Sequence, residues 1–156
     1  MISLKEALTL AKNIHHILVG FDGSEQSKKA LKHARSLADF AVSRVTVMQV
    51  FEPSTFSPSD TIMLEAIKKF HKEEDMRVRK EIRELTKQLD FPETVTVDIL
   101  TKRGTPKRDI VAYAKHHQVD LIVVGATGTH GVERVLIGST TSYILNHAHC
   151  NVLIVK

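Results

Sequence analysis

The sequence predicts an alternating α/β fold, a five-stranded parallel sheet with helices on both faces. Three observations predict it. Apolar runs of strand length alternate with longer amphipathic stretches along the whole 156 residues. The order is β-α-β-α-β-α-β-α-β, which demands right-handed crossovers between parallel strands. One run, Leu121-Ile122-Val123-Val124, has no polar member, as expected of a central strand covered on both sides.

Each element has its own signal. Ser3 to Lys12 reads as an extra helix outside the pattern, so residues 1–14 are assigned to an N-terminal helical extension and 15–156 to one domain. Ile17 to Phe21 is the first strand and ends in the turn signal Asp22-Gly23-Ser24. In the helix predicted from Ser24 to Ala41, the residues Ala30, Leu31, Ala34, Leu37 and Ala38 share one face. The β-branched stretch Val45 to Val50 is the second strand, and Pro53 to Ser59 a loop.

Asp60 to Leu89 reads as a long charged helix, with an inner stripe of Leu64, Ile67, Lys68, His71, Val78, Ile82, Leu85 and Leu89. Thr94 to Leu100 is the third strand. Thr105 caps the next helix, with Pro106 at its first position and Ile110, Val111 and Ala114 turned inward. The fourth strand runs into a loop from Gly125 to Gly138; Ser139 to Asn146 is a short helix and Val152 to Val155 the last strand.

Bulk properties narrow the classes. The length suits one domain, and 42% hydrophobic residues supply a substantial core. A single cysteine, Cys150, excludes an intrachain disulfide framework and suits a reducing compartment, so a cytoplasmic protein is expected. Lys5, Glu6 and Lys12 interrupt the N-terminal apolar residues, so no secretory signal is expected, and no stretch approaches a membrane span. The net charge of +4 and pI of about 9.2 suit an anionic ligand. Dispersed basic residues, 5% aromatics and no tryptophan argue against a nucleic-acid surface.

The most informative stretch is Gly125 to Thr141, with Gly125, Gly128, Gly131 and Gly138 followed by Ser139, Thr140 and Thr141. It follows a buried strand and enters a helix. At such a junction bare backbone and helix-terminal N–H groups form a donor cradle for an anion. The same residues also suit a plain turn with Ser139 as a helix cap, and spacing alone leaves both readings open. There is no G-x-x-x-x-G-K-[ST], and G-x-x-G-x-x-G after the fourth strand is not a dinucleotide fingerprint. Asp22-Gly23-Ser24-Glu25 likewise reads as a helix cap, by Asp22 or Ser24, which does not exclude a ligand contact.

At these residues the chain resembles the universal stress protein family, in the subgroup that binds ATP. That subgroup's G-x2-G-x9-G-[ST] is met by Gly125, Gly128, Gly138 and Ser139. Ile17 to Glu25 resembles the family's first strand and Asp-Gly-Ser turn, and Asp120 to Gly125 its fourth strand. The resemblance covers about Ile17 to Lys156 and implies strand order 3-2-1-4-5.

It further implies ATP, with Mg2+, between the first and fourth strands. Asp22 would contact the nucleoside, beside Gly20, and Val50 would line the adenine pocket. Gly125 and Gly128, with Val124 and Ala126, would hold ribose and phosphates, and Gly138, Ser139, Thr140 and Thr141 the phosphate chain. It also implies a homodimer through the last strand, residues 151–156. Two positions depart from the family pattern: Ala126-Thr127-Gly128 stands where many relatives have a small residue, His and Gly, and Gly20 where Ala or Pro is common.

Other constellations carry less. Nine histidines invite a metal reading, but His147, His149 and Cys150 have no carboxylate or second cysteine nearby in sequence, so no metal site is assigned. Lys102, Arg103, Lys107 and Arg108 flank Gly104 and read either as ordinary surface charge or as positive potential near the ligand end of the sheet. Arg134, inside the glycine loop, is placed to approach phosphates. No nucleophile–base pair is evident, and the motifs Ser-Gly-Gly-x-Asp and His-x-Gly-His are absent, so slow or no ATP hydrolysis is expected rather than an enzyme. The alternative kept open is a nucleotide-free dimeric scaffold of the same fold.

Overall fold

The computed structural model describes residues 13–53, 60–128 and 137–156. Residues 1–12 of the predicted extension, most of the loop before the long helix, and the residues around Gly131 and Arg134 lie outside the described residues. Within them the chain runs β1 (His16–Gly20), α1 (Glu25–Leu37), β2 (Arg44–Phe51), α2 (Thr61–Leu89), β3 (Thr96–Arg103), α3 (Pro106–His116), β4 (Leu121–Gly125), α4 (Ser139–His147) and β5 (Asn151–Val155). The five strands form one parallel sheet ordered β3-β2-β1-β4-β5.

Alternation along the strands sends successive side chains to opposite faces. Ile17, Val19, Val45, Val47, Leu121 and Val123 meet Ala30, Leu31 and Ala34 of α1 and Val78 and Ile82 of α2. Leu18, Met48, Ile122 and Val124 meet Ile110 and Ala114 of α3 and Ile144 of α4. Ile17, Leu18, Val19, Ile122 and Val123 are all fully buried, as their central position in a doubly covered sheet requires.

Two boundaries differ from the expectation by three residues or more, and one inner stripe is less buried than expected. Helix α1 stops at Leu37, four residues short, because Ala38 already forms the C-cap. Strand β3 runs on to Arg103, since its ladder with β2 continues to Phe51. In α2 the inner stripe is buried only at Val78 and Ile82, with Leu85 and Leu89 partly covered. Toward the start of that helix Leu64 is exposed, and its neighbours Ile62 and Phe70 stand 82% and 62% exposed. A helix of 29 residues is longer than the sheet face below it, so its first turns overhang.

Candidate functional site

The sheet order reverses between β1 and β4, and a crevice opens beyond the carboxyl ends of those neighbouring strands. There a cavity of about 410 Å³ is lined by the β1–α1 turn, the end of β2, the start of α3, the end of β4 and the start of α4. That volume lies in the usual range for small-molecule sites.

The β1–α1 turn is built from its own sequence. Gly23 has φ +81°, a left-handed conformation that favours glycine. The Asp22 carboxylate accepts from the Ser24 N–H at 3.0 Å and from the Ser24 hydroxyl at 2.6 Å. Ser24, rather than Asp22, is the N-cap of α1, its Oγ accepting from the Ser27 N–H at 3.1 Å.

At the opposite wall the Gly138 carbonyl accepts the first bond of α4, from the Ser142 N–H at 2.9 Å. The N–H groups of Ser139, Thr140 and Thr141 therefore have no partner within their own helix. Gly138 is the N-cap and offers no side chain to cap them.

Of the eleven residues singled out from the sequence, ten line this cavity: Gly20, Asp22, Val50, Val124, Gly125, Gly128, Gly138, Ser139, Thr140 and Thr141. Ala126 does not. It is 2% exposed; its N–H donates to the Val155 carbonyl and its own carbonyl accepts from the Gly138 N–H, both at 2.7 Å. The loop's donors are thus fewer than the glycine pattern implied. The Thr127 N–H donates to Gln26 Oε1 at 2.6 Å, and the Thr141 hydroxyl to the Gly125 carbonyl at 2.7 Å.

Phe21, Ser24, Ser27, Pro106, Ile110 and Thr127 also line the cavity. Sequence reading had absorbed Ser24 and Pro106 into helix capping and Ile110 into the core. Only their place at the carboxyl end of the sheet gives them a second use.

Glycine serves different ends around the cleft. A Cβ at Gly20 would stand 2.8 Å from Val124 Cγ1, and one at Gly125 would stand 2.8 Å from Gln26 Cβ. At Gly128 it would meet the Asp22 carboxylate at 2.5 Å. These three are bare so that neighbouring chain can close in. Gly138 is not: its φ of −70° is open to any residue, and among the described residues a Cβ would make only ordinary contacts at 3.5 and 3.6 Å.

Among the described lining residues Asp22 is the one charged side chain. Three of the four basic residues flanking Gly104 have other partners. Lys102 pairs with Asp109 at 2.7 Å, Arg103 pairs with Glu74 at 2.5 Å and stacks over Phe51, and Lys107 lies over the Tyr143 ring. Asp109 also reaches back to accept the Thr105 N–H at 2.6 Å, while the Thr105 side chain makes no cap bond.

His147 closes the last turn of α4, stacked on Tyr143 with Nδ1 2.8 Å from that residue's carbonyl. Among the described residues no cluster of three or more His, Cys, Asp or Glu could hold a metal ion. Cys150 is half-buried, and burial pushes its thiol above the ordinary range. No helix among the described residues is long and apolar enough to cross a membrane.

Comparison with known proteins agrees with this architecture. The sequence model of the universal stress protein family matches residues 13–156. A universal stress protein of Methanocaldococcus jannaschii is 33% identical over 142 residues, covering 90% of this chain and 81% of that one. The solved universal stress protein UspA from Lactobacillus plantarum superposes with a TM-score of 0.79 at 30% identity, covering 91% of this chain and 97% of that one. A universal stress protein solved in complex with cAMP shares the fold, with a TM-score of 0.64 at 20% identity over 91% of this chain and 96% of its own. A crevice at the β1–β4 switch point, the strand order around it and a match spanning nearly the whole chain agree: the chain belongs to the universal stress protein family.

Proposed function

We propose that the cleft binds an adenine nucleotide, ATP together with Mg2+, and that the protein is a cytoplasmic stress-response or signalling module with slow or no hydrolysis. Gly138 carries this reading. Neither its backbone angles nor its described neighbours require glycine, yet it starts the helix whose first three residues line the cleft and whose first N–H groups have no partner within the helix. A phosphate seated on those groups supplies the missing reason for a bare α-carbon.

The base end supports an adenine. The β1–β2 ladder ends with the Phe21 N–H on the Met48 carbonyl at 2.9 Å. Val50, two residues on and in the cavity wall, therefore turns its main-chain donor and acceptor to the cleft side. That pair suits the N1 and N6 edge of the base. The cAMP-bound relative of the same fold favours an adenine ligand as well.

Mg2+ suits the hard oxygen donors of the wall, the Asp22 carboxylate and the Ser139 and Thr140 hydroxyls. It would offset phosphate charge that the described wall meets with no basic side chain. Asp22, the one carboxylate among the described lining residues, is assigned in this reading to Mg2+ rather than to a base, in keeping with a carrier. Strand β5 ends the sheet with Val152, Leu153 and Ile154 partly buried, and Leu145 of α4 is 50% exposed. An apolar edge of this kind favours pairing with a second copy. Residues 1–14 are assigned, in this reading, to an N-terminal extension whose last residue, Ile14, packs against the core.

A nucleotide-free dimeric scaffold is the second reading, favoured by the internal bonds of the Ala126, Thr127 and Gly138 N–H groups. Titration with labelled ATP in Mg2+ separates the two: saturable binding below millimolar nucleotide is expected, and none at millimolar ATP rejects the carrier. Native mass spectrometry should show twice the 17.5 kDa chain mass, and a monomer would reject pairing through β5.

A further inference from the structure

We infer that Gln26, which does not line the cleft, is a positioning residue that sets the phosphate seat through a single peptide unit. This rests on the nucleotide reading above. Gln26 is the second residue of α1. Its Oε1 accepts the Thr127 N–H at 2.6 Å, joining chain segments 101 residues apart. The same peptide unit offers its other end, the Ala126 carbonyl, to the Gly138 N–H at 2.7 Å.

The N–H and C=O of a trans peptide point in opposite directions. The 126–127 unit is therefore a bar held between the first turn of α1 and the N-cap of α4. Bonds in series through one peptide polarise and strengthen each other. The preceding peptide is fixed separately, by the Ala126 N–H on the Val155 carbonyl at 2.7 Å. Among the described residues only the 126–127 unit couples the two helix starts by hydrogen bonds. Gln26 also forms the floor under Gly125, where a Cβ would stand 2.8 Å from its own.

Loss of Oε1 leaves the partly buried Thr127 N–H without its acceptor, an expensive state. Rotation of the peptide relieves it and carries the Ala126 carbonyl off the Gly138 N–H. The start of α4 then loses its tether on that side and keeps, among the described residues, the Thr141 hydroxyl bond to the Gly125 carbonyl. The N–H groups proposed to hold phosphate move with it. The base end, at Val50 and Ile110, stands on other elements and stays in place.

The test uses the full chain, with ATP and adenosine as probes. Gln26→Leu keeps the stem against Gly125 and removes the acceptor. ATP affinity is expected to fall about five- to tenfold, the effect of one lost hydrogen bond. Adenosine, which lacks phosphate, should bind as before, so the ATP-to-adenosine preference falls, which a general loss of folding would not produce. Amide exchange at Thr127 should accelerate in Gln26→Leu and slow again in Gln26→Glu, which restores an oxygen acceptor.

An unchanged ATP-to-adenosine preference in Gln26→Leu overturns the inference. So does a Thr127 amide that exchanges as fast in the unaltered protein as in Gln26→Leu. If the unaltered protein binds neither probe, the nucleotide reading falls first and this role of Gln26 falls with it.

Discussion

The two ends of the parallel sheet treat their main-chain hydrogen-bonding groups in opposite ways. At the amino end, strand starts are stitched to one another in a continuous row. The Thr96 N–H donates to the Ser43 carbonyl, the Ser43 and Arg44 N–H groups to the His15 carbonyl, and the Asp120 N–H to the His16 carbonyl. Asp120 Oδ2 then accepts the His15 and His16 N–H groups, each at 2.9 Å. At the carboxyl end the β1–β2 ladder stops short of Val50, and the first N–H groups of α4 have no partner in their helix. The amino end is committed to holding the fold; at the carboxyl end the Ala126, Thr127 and Gly138 N–H groups are committed too, and the first N–H groups of α4 and the main chain of Val50 are the ones the proposed nucleotide would take. Substitutions at the two ends should therefore separate stability from binding.

The largest expected effect is at the carboxyl end. Gly138→Val places two methyl groups over the proposed phosphate seat. The predicted loss is of two or more charge-assisted contacts, at about 1.5 kcal/mol or more each, so ATP affinity should fall at least about 100-fold. Stability should change by about 1 kcal/mol, because the position's φ of −70° accepts any residue and its described contacts are ordinary. Titration calorimetry and urea unfolding on the same preparation check both halves. Equal losses of binding and stability would place Gly138 in the frame rather than the site.

Next is the amino end. Asp120→Ala removes the acceptor of two main-chain N–H groups, and the predicted cost is about 2 kcal/mol in urea unfolding. ATP affinity should stay within about twofold, since Asp120 precedes β4 and the cleft follows it. A large drop in affinity with intact folding would break the division between the two ends.

The sequence was legible unequally at these two ends, for a physical reason. Strands such as Leu121 to Gly125 announce themselves because burial on both faces admits no polar residue. The glycines and hydroxyls of the cleft are neighbours in sequence, so ten of eleven expected residues fall on one cavity. Ala126 stands behind the wall that its neighbours form, its own polar groups taken by Val155 and Gly138, which its place in the sequence does not reveal. Gln26 and Asp120 left no local signal: each acts on a residue more than 100 positions away, and a lone Gln on a helix or Asp before a strand looks ordinary. The overhang of α2 escaped for a related reason. Its apolar spacing is regular, but the width of the sheet beneath is not written in the helix.

The smallest effect, and the one most specific to the amino end, concerns pH. His16 is buried at the start of β1, with Nε2 3.0 Å from Thr46 Oγ1 on β2 and Nδ1 3.3 Å from the His117 carbonyl after α3. Burial is the chief force lowering its pKa; the His117 carbonyl and Asp120 oppose that, while Arg44 and His117 add to it. The unfolded imidazole, near 6.5, therefore takes a proton before the folded one does. Above that pH neither state is protonated and the contribution to stability is complete. As the pH falls below it the unfolded state binds more protons, and stability declines until the folded pKa is reached. Urea midpoints for the unaltered protein should thus fall between pH 7.5 and pH 5.5, and His16→Gln should flatten that fall while lowering the midpoint at pH 7.5. ATP affinity at pH 7.5 should be indifferent to the change, because the imidazole ties three strand and helix ends that the cleft does not use. A pH profile unaltered by His16→Gln would strip the amino end of this part of its role.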